Sequence, residues 1–163
     1  MERINYARVA PGAVHAMNGL GNYLKSSGLE PGLLDLVKLR ASQINECAYC
    51  VDMHWKDARA AGETEQRLYG VSVWRESPYY TDRERAALAW AEALTRIAED
   101  EISDELYAET RKQFDEKALV DLSLAIVEIN GWNRLAKTFR SVPGSYQPAA
   151  RPAGAPAATS VKG

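Results

Sequence analysis

Cysteine is nearly absent from this chain: its 163 residues hold two, and histidine is equally scarce at two. So few cysteines exclude the disulfide-dense scaffold of small secreted domains. A bridge closing a loop as short as Cys47 to Cys50 would constrain the unfolded chain little, so a purely structural disulfide is not expected. Long apolar runs are missing too. No stretch approaches the roughly 18 consecutive apolar residues of a spanning helix, and a membrane is not an expected partner. Charge of one sign is also lacking. A net charge of −2 leaves no basic footprint, which argues against nucleic acid. The opening "MERINYARVA" carries charges but no apolar core of a secretory signal, so a cytoplasmic location is expected. No flavin, haem or nicotinamide motif is present, and no cofactor is expected.

What remains is an ordinary globular composition, 46% hydrophobic and 26% charged. It suits one domain long enough to bury about two-thirds of its unfolded surface. Strand signals are scarce and apolar residues fall at helical spacing, so the expected fold class is all-α. After an irregular start and the loop "SSGLEPG", a helix opens at Leu33 and runs toward Ile44. A second is expected from Asn45, a good N-cap, to Ala61, with Gly62 as its stop. "ETEQRL" begins a short helical piece, and Thr81 with Glu84 makes a capping box. The stripe Ala87, Trp90, Ala91, Leu94, Ile97 predicts the next helix. Ser103 caps another, with Leu106, Thr110 and Phe114 on one face. The apolar stretch from Ala118 to Phe139 has the length of a helix rather than a strand. The domain is expected over residues 1–141, and the Pro/Ala-rich residues 142–163 are expected to form a mobile tail. A shift of 85 positions superposes Leu119, Leu124, Ile129 and Asn130 on Leu34, Leu39, Ile44 and Asn45. That suggests a degenerate internal helical repeat, whose second copy carries Trp132, Leu135 and Phe139 where the first carries Cys47, Cys50 and His54.

The chemistry is concentrated in "INECAYCVDMHWKDARAAG", Ile44 to Gly62. Cys47, Cys50 and His54 stand three, four and seven residues apart, which stacks them on one face over two helical turns. Two thiols there can exchange a disulfide while the imidazole moves a proton. The nucleophile must be a thiolate. The positive end of the helix favours it at Cys47, whereas His54, one turn beyond Cys50, favours it at Cys50. The spacing leaves the order of attack open. A structural zinc needs four ligands and this stretch supplies three, with His15 far from any ligand-like neighbour; a catalytic zinc with an open position is the remaining metal alternative. Trp55, Trp74, Tyr79 and Tyr80 are candidates either for a substrate pocket or for the core.

The stretch "LLDLVKLRASQINECAYCVDMHWKDARAAGETEQRL", with "SPYYTDRERAALAWAEALT" downstream, resembles the alkylhydroperoxidase AhpD-like proteins of the carboxymuconolactone decarboxylase superfamily. The resemblance covers about residues 5–140. It implies an AhpD-like helical bundle that is oligomeric, a trimer or hexamer, and works without a bound cofactor. It implies further that Cys50 is the peroxide-attacking thiol, Cys47 the resolving thiol and His54 the proton acceptor. The family's relay carboxylate, twelve positions before the first cysteine, falls on Asp35, where family members usually carry Glu. Aspartate reaches about 1.5 Å less far. Glu46 is a nearby substitute, though beside Cys47 its charge opposes a thiolate. Tyr49 stands where some members have His. The implied function is a thiol peroxidase for organic hydroperoxides, and also for hydrogen peroxide, re-reduced by an external dithiol or redox protein. Two alternatives stand beside it: a thiol–disulfide relay or redox sensor, and a non-catalytic oligomeric helical protein with inert or metal-binding cysteines.

Overall fold

The computed structural model describes residues 1–99 and 101–148, and these form eight helices and one 3-10 turn, with no strand among the described residues. The helices are α1 (Tyr6–Val9), α2 (Pro11–Lys25), α3 (Pro31–Ile44), α4 (Ala48–Ala60), α5 (Glu65–Gly70), α6 (Asp82–Thr95), α7 (Asp104–Arg111) and α8 (Glu116–Phe139); the 3-10 turn Val71–Val73 follows α5. Their starts have local causes. Pro11 and Pro31 occupy first-turn positions, where a missing N–H costs nothing. Thr64, Thr81, Ser103 and Asp115 each accept a backbone N–H at an N-cap, and Thr81 with Glu84 closes the expected capping box.

Helix α3 is the hub, packed on α4, α6 and α8. Its near-continuous apolar run feeds two cores. Leu33, Leu34 and Val37 join Leu24, Ala87, Trp90, Phe114, Leu122 and Ile126 in one cluster. Leu36 and Leu39 point into the other, with Ala58, Leu68, Val71, Trp74, Tyr80 and Leu88. A fully buried leucine of this kind contributes about 1.5–3 kcal/mol. Trp74 and Tyr80 are therefore core residues, with Trp55 and Tyr79 packed against them, so none of the four candidate pocket aromatics is needed to explain a binding site.

Several expected boundaries move. The start of the chain is helical rather than irregular. In α2 the apolar Val14, Met17, Leu20 and Leu24 keep helical spacing despite Gly12, Gly19 and Gly21. Gly21 has a packing reason: a Cβ there would sit 2.6 Å from Glu128 Oε1, so α8's carboxylate occupies the space a side chain would take. Helix α6 ends at Thr95, which leaves Ile97 64% exposed beyond it. Helix α7 ends at Arg111, yet Phe114 is buried through a final turn closed by its N–H on Thr110 O at 3.1 Å. Residues 142–148 follow α8, with Gly144 and Tyr146 bonded to α4. The rest of the expected tail, 149–163, lies outside the described residues.

No helix among the described residues is long and apolar enough to cross a membrane.

Candidate active site

Between α3 and α4 the chain makes a Schellman ending that places both cysteines. Glu46 N–H donates to Gln43 O and Cys47 N–H to Ser42 O, both at 3.0 Å, with Glu46 in the left-handed region at φ 53°. Asn45 thus closes α3 instead of opening α4. Cys47 serves both elements: it completes the end of α3 and caps α4, its Sγ accepting the Cys50 N–H at 3.3 Å. The αL position costs an L-residue about 1–2 kcal/mol relative to glycine. Glu46→Gly is expected to stabilise the oxidised protein by about 1 kcal/mol in urea denaturation. A loss instead would mean that the exposed Glu46–Lys137 contact, at 4.0 Å, outweighs the backbone term.

Helix α8 braces this junction with amides rather than apolar contacts. Asn45 Nδ2 donates to Asn130 Oδ1 (2.9 Å) and Asn133 Oδ1 (2.8 Å), and Asn133 Nδ2 donates to Ser42 Oγ (3.1 Å). Asn130 in turn donates to Thr95 Oγ1 at 3.1 Å, and Lys137 Nζ donates to Asn45 O at 2.6 Å. Asn130, Asn133 and Ser42 are buried, so each amide must find partners here, and the register of α8 against the α3–α4 turn follows. Asn45 and Asn130, the pair superposed by the 85-residue shift, meet directly.

Cys47 and Cys50 are joined by a disulfide, Cα–Cα 5.3 Å, and are 2% and 1% exposed. With Ala136 they form a small apolar cluster against which Tyr49 packs. His54, one turn after Cys50 on α4, is also buried, and its Nε2 has no hydrogen-bond partner. A buried, unpaired polar atom is costly, and this nitrogen is left open to a proton or a ligand. Burial first, and then the charge of Lys38, push the imidazole pKa down to about 3, so it is neutral across the physiological range in the disulfide form. Lys38, on α3, is itself held at 2.8 Å by buried Glu128 of α8.

Of the four expected site residues, α4 therefore brings Cys47, Cys50 and His54 together. Asp35 lies half-buried on α3, one turn before Lys38, and its carboxylate does not accept from His54 Nε2. Glu46 is exposed. Among the described residues no group of three or more His, Cys, Asp or Glu is placed to hold a metal ion. Sequence reasoning passed over Lys38, Glu128 and Asn133. Their signal was a charge or amide inside otherwise apolar helical runs, "LLDLVKL" and "LAIVEINGWNRLA".

Residues 11–93 match the carboxymuconolactone decarboxylase family. The uncharacterised protein YdfG of Bacillus subtilis (strain 168) is 42% identical over 135 residues, which is 83% of this chain and 92% of that protein. A crystal structure from Agrobacterium tumefaciens, of a protein of unknown function named as a candidate antioxidant defence protein AhpD, is 48% identical. It superposes with a TM-score of 0.86 over 90% of this chain and 100% of its own. A peroxidase-related protein with an alkylhydroperoxidase AhpD core, from Ralstonia eutropha JMP134, shares the fold with a TM-score of 0.75 at 21% identity, over 85% of this chain and 74% of that one. With the paired cysteines of α4 and this all-helical architecture, the chain belongs to the carboxymuconolactone decarboxylase family and is AhpD-like.

Proposed function

We propose that the protein is a thiol-dependent peroxidase that reduces organic hydroperoxides, hydrogen peroxide being a smaller substrate of the same site. The observation that carries this reading is the buried Cys47–Cys50 pair at the start of α4, with an unpartnered imidazole nitrogen on the next turn. In the reduced protein His54 takes the proton of Cys50. The Cys50 thiolate attacks the terminal peroxide oxygen; the O–O bond breaks, the alkoxide leaves as an alcohol once protonated, and Cys50 becomes a sulfenic acid. Cys47 attacks that sulfur, forming the disulfide and releasing water. The N–H of Cys50 on Cys47 Sγ and the α4 N-terminus favour the thiolate this second attack needs. An external dithiol or redox protein then supplies two electrons and two protons. Asp35 is assigned to orient His54, directly or through a water. The working form is taken as a homo-oligomer, trimer or hexamer, on family resemblance.

The same Cys47 geometry favours a second reading, a thiol–disulfide relay in which Cys47 is the exchanging thiolate. One experiment separates them. Fully reduced protein is mixed once with tert-butyl hydroperoxide, and free thiols and intact mass are followed. Loss of both thiols and two hydrogens per chain is expected, with Cys50→Ser inert and Cys47→Ser halted at a sulfenic acid. Reversed behaviour of the two variants would exchange their roles. Inertness to peroxide, with rapid oxidation by small disulfides, would replace the peroxidase by the relay.

A further inference from the structure

The sulfurs are nearly sealed, and what packs over them is Tyr49, the partly exposed residue between the two cysteines. Tyr49 also lines a cleft of about 410 Å3, whose other walls come from both ends of the described chain: Glu2, Tyr6 and Ala7 from one, Val142 and two serines from the other. Both walls are tied down. Arg3 donates its backbone N–H to Phe139 O (2.9 Å) and its Nη1 to Thr138 O (3.1 Å), and the Tyr6 ring lies 5.7 Å from that of Phe139. Opposite, Gly144 N–H donates to Asp52 Oδ2 (3.0 Å), Lys56 Nζ to Tyr146 O (3.1 Å), and Tyr146 OH to Asp57 Oδ1 (2.7 Å). The volume falls in the range of about 300–1,000 Å3 used by small-molecule sites, and its wall mixes two aromatic rings, Ala7 and Val142 with Glu2, Asn5 and the two serines.

Its charge limits what it takes. Among the described residues no lysine or arginine lines the cleft, while Glu2 does. Burial first, then Tyr6 and the nearby carboxylates Asp52 and Asp57, raise the Tyr49 phenol above its ordinary value, in keeping with surroundings unfavourable to an anion. Two aromatic rings with Ala7 and Val142 suit an uncharged aromatic or branched apolar group.

We propose that this cleft binds the organic group of a neutral aryl-alkyl hydroperoxide against Tyr6, Tyr49 and Val142, and that Tyr49 swings aside to admit the peroxide oxygens to the cysteine pair. The site deepens the peroxidase reading and rests on it, and its test keeps binding apart from turnover. The alcohol left by cumene hydroperoxide, 2-phenyl-2-propanol, is titrated into the oxidised full-length protein and followed by backbone amide NMR. Shifts centred on residues 2–7, 49 and 141–145 are expected, weakened about tenfold in affinity by Val142→Glu and by Tyr6→Leu. In single-turnover oxidation both variants should lower the ratio of cumene hydroperoxide to hydrogen peroxide rate constants about tenfold. Linoleate hydroperoxide, which carries a carboxylate, should react more slowly than its neutral methyl ester. Shifts elsewhere, no shifts, or an unchanged ratio in both variants would overturn the cleft assignment and leave the peroxidase intact. Alcohol binding at these residues with no oxidation by any peroxide would sustain the cleft and remove the peroxidase.

Discussion

Replacing His54 by glutamine should slow the peroxide-driven oxidation of reduced protein by about 10²–10⁴-fold at pH 7, the scale of a lost general base. Glutamine approximates the size of the ring but cannot take a proton. The unpartnered Nε2 lies one turn beyond Cys50, in a site where the sulfurs are almost without solvent to serve as the acceptor. The same variant has a second readout, through stability. In the oxidised protein the imidazole pKa lies near 3, against 6.5 for the free side chain. Between those values the unfolded chain binds the proton and the folded chain does not. Stability is therefore full above about pH 6.5 and falls as the pH drops from there toward 3. From pH 7 to pH 5 the loss should be about 2 kcal/mol in urea denaturation. His54→Gln should flatten that slope. Carboxylates held below their ordinary range, such as Glu92 and Asp121, lose their contribution only at lower pH, since hydrogen bonds outweigh the raising effect of their burial. An unchanged oxidation rate would take His54 out of the chemistry; an unchanged slope would mean that its imidazole is not sealed in solution.

The site was legible in sequence to the extent that it is local. Spacings of three, four and seven within α4 fix which side chains share a face, and the structure brings Cys47, Cys50 and His54 together there. The order of elements was also largely legible, because Thr81, Ser103 and Gly62 carry their turn and cap chemistry in their own side chains or lack of one. What escaped depends on contacts between helices. Asn45 reads as an N-cap, but α8 supplies it with two amide acceptors and Glu46 turns left-handed, so it ends the preceding helix. The 85-residue register sharpens the point. Position 131, which corresponds to Glu46, is a glycine that stays inside the unbroken α8, whereas the glutamate marks the break. Propensity alone would assign these two residues the other way, and tertiary packing overrides it. Lys38 and Glu128 were invisible as a pair because 90 residues separate them and only the crossing of α3 with α8 joins them.

The largest expected loss of stability lies away from the cysteines, at Glu92. This carboxylate is 5% exposed and accepts from three side chains on two segments, α3 and the stretch after the 3-10 turn. Arg40 of α3 reaches Oε1 through Nε and Nη2, both at 2.7 Å; Trp74 Nε1 donates to Oε1 at 2.9 Å; and Arg75 Nη1 donates to Oε2 at 2.6 Å. Glu92→Ala strands these donors unequally. Arg75 is largely exposed and can turn to water, but the Arg40 side chain is only 14% exposed and would keep an unpaired charge between α3 and α6. Removing one partner of such a pair costs about 3–5 kcal/mol, a large share of the roughly 5–15 kcal/mol that holds a domain together. Urea denaturation should show that loss. Replacing both partners, as Arg40→Leu with Glu92→Leu, should recover most of it, because no buried charge is then left alone and only the Trp74 N–H lacks its acceptor. The Glu92 cluster anchors α6 and the stretch after the 3-10 turn to α3, whereas the cysteine pair is held by the α3–α4 junction and α8. The folded fraction of Glu92→Ala should therefore react with hydroperoxide at close to the wild-type rate. A matching fall in rate and stability would instead make this ion cluster part of what shapes the redox site.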